Sequence, residues 1–170
     1  VIEKLLKIDR SLILIFTLCG IFFAVSVRTD ADTYWHMAIG RQLWEDGNIF
    51  ANFWNSHIYD SYVIGRESTK FAASEWISQI IYYFVYSNFG QFGLVVLRTL
   101  LGLTCLAFFY KTVSLFTNNS WHKYALLFFS GYLISMRLYD RPENFSLLFL
   151  MIANYYLLKY YFEKKFSKFF

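Results

Sequence analysis

Cysteine, proline and histidine are scarce in this sequence, and each shortage narrows what the chain can be. Its two cysteines, Cys19 and Cys105, both lie inside apolar runs. That placement argues against a disulfide, and two thiols with three scattered histidines supply no zinc motif. The single proline, Pro142, stands shortly before the last apolar run, a position compatible with a helix start. Charge is also thin, with Asp, Glu, Lys and Arg making up 16% of the residues. The net charge is +4, yet no basic stripe is interleaved for tracking phosphates, so nucleic acid is not expected as a partner. Several basic residues instead flank apolar runs, where they act as topology signals.

What the chain has in abundance is apolar and aromatic side chain, 57% and 23% of its residues. One soluble domain of this length could not bury so much, and a lipid bilayer is the expected cover for the rest. The sequence reads as all-α, a polytopic transmembrane helical bundle with amphipathic juxtamembrane helices in its first outer loop. Spans are expected at 11–27, 93–116, 124–138 and 145–162, because a hydrocarbon core of about 30 Å needs roughly 20 apolar residues. The outer loop then covers 28–92 and carries surface helices at 33–46 and 75–89.

In the first of these, Trp35, Ala38, Ile39, Leu43 and Trp44 recur at helical spacing, Asp32 sits where a cap belongs, and Gly47 is placed to end the helix. Residues 48–70 lose that periodicity and read as a loop. The second surface helix is short for a span and runs out at Asn88-Phe89-Gly90. Treating it as interfacial puts the N-terminus, residues 118–123 and the lysine-rich tail in the cytoplasm, as the positive-inside rule requires. An integral protein of the plasma (inner) membrane is therefore expected, with residues 1–170 forming a single amino-terminal membrane portion of a longer protein.

This topology gathers the chemically able residues on the outer face. Carboxylates cost roughly 2.5 to 3.5 kcal/mol each at a helix centre, so working acids of a membrane protein belong at its boundary. Asp30 and Asp32 follow the first apolar run directly and can supply a general base and a metal or substrate ligand. Asp32 also suits helix capping, which leaves Asp30 the stronger candidate for chemistry. His36, one turn after Asp32, can form an acid/base or metal pair with it, or can be a surface imidazole at the water boundary. The metal stays unassigned, with Asp30 and Asp32 as the ligands if a divalent cation binds.

Further along, Arg137, Asp140, Arg141 and Glu143 are compressed between two apolar helices. The arginines can clamp a phosphate while the carboxylates orient the clamp. A plainer reading has these charges capping helices and marking the membrane edge. Glu75 opens the second surface helix beside Trp76, a residue type that prefers the headgroup level. Arg98 falls early in a span, where it either snorkels to lipid headgroups or reaches toward the same phosphate.

Three stretches stand in a telling order: DAD followed by TYWHMAIGRQLWEDG, then FAASEWISQIIYYFVYSNFGQFGLVVLR, then LISMRLYDRPENFSLLFLMIANYYLL. In that layout the chain resembles the GT-C type membrane glycosyltransferases, which include protein O-mannosyltransferases, aminoarabinose transferases and oligosaccharyltransferase catalytic subunits. The resemblance covers nearly the whole chain but only the amino-terminal part of such enzymes. It implies transfer of a sugar from a polyprenyl-phosphate-linked donor to a glycan, lipid or protein acceptor at the outer face. By the same resemblance Asp30 is the catalytic base, Asp32 contacts acceptor or metal, and Arg141 with Glu143 holds the donor's phosphate. The substrate-binding set is completed by His36, Glu75, Arg98, Arg137 and Asp140. No His-Pro-Pro or Lys-Pro-Pro element precedes 75–89, as it does in several of these enzymes, so the acceptor class does not carry over. A transporter segment and a non-catalytic assembly subunit are the alternatives, although a transporter would more often hold its charges at mid-membrane.

Overall fold

The computed structural model describes residues 9–25, 31–45 and 75–163, and these are all-helical. In chain order the helices are α1 (Arg10–Val25), α2 (Ala31–Glu45), α3 (Trp76–Phe116), α4 (Ser120–Arg137) and α5 (Glu143–Phe162). Local chemistry sets several of their ends. The Asn119 side chain accepts from the Trp121 backbone N–H at 2.9 Å and caps α4, and Arg137 in its last turn suits the negative end of the helix. Glu143 occupies the first turn of α5, directly after Pro142.

Polar side chains inside the apolar α3 are satisfied by its own backbone. Thr99, Thr104, Thr112 and Ser114 each donate to the carbonyl four residues earlier, at 2.7 to 2.9 Å. The helix is broken once, at Gly90, whose φ of 59° and ψ of −153° lie outside helical space. Only glycine adopts such a backbone at little cost, and Gly90 coincides with the expected end of the second surface helix.

Among the described residues two helices, α3 and α5, are long and apolar enough to cross a membrane. The first apolar helix, α1, has 16 described residues, about 24 Å at 1.5 Å per residue, and the end of the expected span 11–27 lies outside the described residues. In α4, expected as a span over 124–138, Ser120, His122, Lys123, Ser130, Ser135 and Arg137 dilute the apolar character, so this helix is not apolar enough to join them.

The chain divides into two compact units. The described residues of the first are 9–25, 95–138 and 143–163, and those of the second are 31–45, 75–94 and 139–142. Within the first unit α1 packs on α4, around a core of Cys19, Phe23, Cys105, Leu106, Leu127, Ile134 and Leu138. A Cβ at Gly131 would lie 2.6 Å from Cys19 Sγ, so the two helices approach closely there. Ring contacts between Phe108 and Tyr155 at 5.9 Å and between Phe116 and Phe162 at 5.2 Å join α3 to α5. Much of the outer face of this unit is apolar, with Phe149, Leu150 and Leu157 all exposed.

Asp9 ties the start of α1 to α4. Its carboxylate accepts from the Ser11 backbone N–H at 2.9 Å and from the Tyr124 hydroxyl. Those bonds, the tyrosine's first, hold the carboxyl below its ordinary value. A depressed carboxylate contributes stability above its unfolded pKa and loses it as pH falls through the folded value. Tyr124→Phe is therefore expected to flatten the acid limb of a thermal-stability profile taken below about pH 4. An acid limb identical to that of the parent would exclude the linkage.

Candidate functional site

The second unit is built on α2 and the first half of α3. Helix α2 buries Thr33, His36, Met37, Ile39, Gly40 and Leu43 while leaving Tyr34, Trp35 and Trp44 exposed. Of the residues that hydrophobic spacing picks out, Ile39 and Leu43 lie on the inner face, whereas Trp35, Ala38 and Trp44 are exposed. Both faces carry large apolar groups, and the choice falls to the side with the smallest residue. At Gly40 an added Cβ would lie 2.1 Å from the Gln79 carbonyl oxygen and 3.0 Å from Tyr83 Cβ, so the two backbones meet almost directly. Ile39 and Leu43 pack with Trp76 and Ile80 beside this crossing.

Polar groups are drawn into the same junction. His36 Nδ1 lies 3.1 Å from Gln79 Nε2, and both residues are buried. This contact links the imidazole of α2 to a side-chain amide of α3. A Glu75 carboxylate oxygen is 3.9 Å from the same Nδ1. At the other end of α2, Arg41 Nε donates to both oxygens of Glu45 at 3.0 Å, and the Tyr83 hydroxyl donates to one of them at 3.0 Å. The guanidinium, and secondarily the tyrosine, lower the Glu45 carboxyl, and Glu45 in turn raises Arg41. This exposed network holds the end of α2 to α3.

The most informative contact lies at the start of α2. Asp32, in the first turn of the helix, takes the Arg141 guanidinium at 2.7 Å between Oδ2 and Nη2. Capping is the simpler role expected of Asp32, and the helix instead begins at Ala31 with the carboxylate engaged by arginine. Arg141 is positioned by its backbone as well, because the buried Tyr82 donates its hydroxyl to the Arg141 carbonyl at 2.8 Å. The guanidinium carbon also lies 5.5 Å from the Tyr139 ring centroid, within cation–π range. A short, charge-assisted pair on a fixed backbone is a suitable receptor for a phosphate, since guanidinium donors match phosphate oxygens.

The other sequence candidates fall in several places. Asp140 is fully buried in this same unit. Asp30 lies outside the described residues. Arg98, fully buried in α3, belongs to the first unit, as do Arg137 in the last turn of α4 and Glu143 in the first turn of α5. Among the described residues no group of three or more His, Cys, Asp and Glu side chains is placed to hold a metal ion.

Comparison with protein-family models, curated proteins and solved structures found no match to this chain.

Three residues of the site are not singled out by sequence reasoning. Gln79 interrupts the apolar run EWISQIIYYFVY, and a polar residue in such a place is itself a sign that a buried partner exists. Tyr82 and Tyr139 carry no such sign, because tyrosine is common throughout the chain.

Proposed function

We propose that this chain is the amino-terminal part of a polytopic membrane glycosyltransferase that moves a sugar from a polyprenyl-phosphate-linked donor to an acceptor at the outer face of the membrane. The observation that carries the reading is the Asp32–Arg141 pair. It joins the acidic stretch after the first apolar run to the arginine of the Arg-Pro-acid stretch before the last, two of the three stretches that carry the resemblance to GT-C enzymes. The two membrane-length helices support an embedded location, and the Trp35 and Trp44 rings exposed on α2 suit a helix lying at headgroup level.

In this scheme Asp30 takes the proton from an acceptor hydroxyl or amine as that atom bonds to the anomeric carbon. The bond from the anomeric carbon to the phosphate oxygen breaks, and its electron pair leaves on the polyprenyl phosphate. Arg141 offsets the charge that develops on that phosphate. Asp32 holds the guanidinium ready and neutralises it before donor arrives.

Polyprenyl phosphate binding by the intact protein in lipid nanodiscs tests the assignment. The parent protein is expected to bind it saturably, and Arg141→Lys to weaken binding about tenfold or more, because an ammonium cannot reproduce the guanidinium fork. Tyr82 grips the backbone of residue 141, so the variant keeps its loop in place. Absence of saturable binding by the parent would overturn the function, and equal binding by the lysine variant would remove Arg141 from the phosphate site.

A further inference from the structure

We infer that the outer side of α5 is an interface to a second copy of this chain, in which two α5 helices cross in parallel and the Asn154 amides bond to each other. The inference goes beyond the glycosyltransferase reading and needs only that α5 lies in a bilayer, for which it is long and apolar enough. Asn154 is exposed and sits well inside the helix, about 16 Å along the axis from Glu143 and about 12 Å from Phe162. Turned to hydrocarbon there, the two donors and the acceptor of its amide would meet no water. Polar side chains at such depth are satisfied by hydrogen bonds across a helix pair.

The neighbours of Asn154 give the form of that pair. Leu150 stands four residues before it, Leu157 three residues after it and Tyr161 four residues further on, and all three side chains are exposed. A spacing of four, three and four is the seam of a coiled coil, with Leu150 and Leu157 at d positions and Asn154 at an a position. Leucine at d belongs to the two-stranded pattern, and a lone asparagine at a specifies register and oligomer state. The other side of the helix is already occupied within the unit. Leu147, Leu148 and Met151 pack on its core, and Tyr155 meets the Phe108 ring.

A second copy matches this face better than an unrelated helix would. Two copies inserted in the same sense hold Asn154 at the same depth by construction. A side-chain amide is also its own complement, so each can donate an N–H to the carbonyl oxygen of the other about a two-fold axis along the membrane normal. Leu150 and Leu157 then pack on their counterparts, one turn to either side of the amide pair. Among the described helices of the unit the only other side-chain amide is Asn144, buried at the start of α5. The exposed Thr104 of α3 donates to the Leu100 carbonyl of its own helix.

Energy transfer between separately labelled copies of the intact protein, followed over a lipid dilution series in liposomes, measures the association. The parent is expected to dimerise, Asn154→Leu to weaken the dimer about tenfold or more, and Asn154→Gln to retain it. Oxidation of Leu157→Cys in the membrane is expected to give a disulfide-linked dimer, whereas Phe128→Cys, exposed on α4, is expected to stay monomeric. A parent that is monomeric at every dilution, or a dimer unchanged by Asn154→Leu, would overturn the interface. Leu157→Cys that stays monomeric would overturn it too, showing that lipid or another helix of the same polypeptide covers the face. Each result is independent of polyprenyl phosphate binding.

Discussion

Gly40→Ala is expected to destabilise the protein by about 1–3 kcal/mol, although alanine is the better helix former by about 1 kcal/mol. The two effects have opposite signs, and the geometry at the crossing decides which prevails. The added methyl would lie 2.1 Å from the Gln79 carbonyl oxygen and 2.6 Å from the carbonyl carbon. Those are backbone atoms of a packed helix and cannot swing aside as a side-chain tip can. Relief requires α2 to back away from α3 or to rotate, and either movement breaks the 3.1 Å bond between His36 and Gln79. Packing of Ile39 and Leu43 on Trp76 and Ile80 would loosen together with it. Thermal unfolding of the intact protein in detergent measures the balance. A midpoint equal to or above that of the parent would show that the helices do not meet at Gly40.

Asp30→Asn is expected to cut sugar transfer by about 10²- to 10⁴-fold, the span a positioned general base contributes. The substitution keeps size and shape and removes only the basicity. Asp32 cannot take over the task readily, because its oxygen already bonds to the Arg141 guanidinium at 2.7 Å. Polyprenyl phosphate binding should survive in this variant, since the proposed phosphate contact is Arg141. Loss of turnover with donor binding retained separates a chemical role from a folding defect. Activity near the parent level, with the protein present in the membrane in normal amount, would sink the assignment of Asp30.

Helix positions are largely legible in the sequence, because apolar runs bounded by Asn, Gly and charged residues leave few alternatives. Gly90 is a good case: Asn88-Phe89-Gly90 reads as an end, and the backbone leaves helical space at Gly90. The inner face of α2 is legible only in part. Hydrophobic spacing picks out Trp35, Ala38, Ile39, Leu43 and Trp44, of which the helix turns Ile39 and Leu43 inward, beside Thr33, His36 and Gly40. Apolar periodicity finds a face only when the opposite face is polar, and α2 carries bulky apolar groups on both. The partner surface made the choice, through a backbone approach that only Gly40 allows and a buried amide that accommodates His36.

The candidate site divides along the same line. Sequence alone determined that the chain is helical and apolar beyond the needs of a soluble core, and that its carboxylates and arginines cluster at the ends of apolar runs. These are properties of composition and local order, which need no knowledge of what a residue touches. That Asp32 meets Arg141, that Tyr82 holds the backbone of that arginine, and that His36 faces Gln79 were decided by tertiary structure. Each pair is far apart in the chain, and its members become neighbours only when α2 settles on α3 at Gly40 and the 139–142 segment joins them in one compact unit.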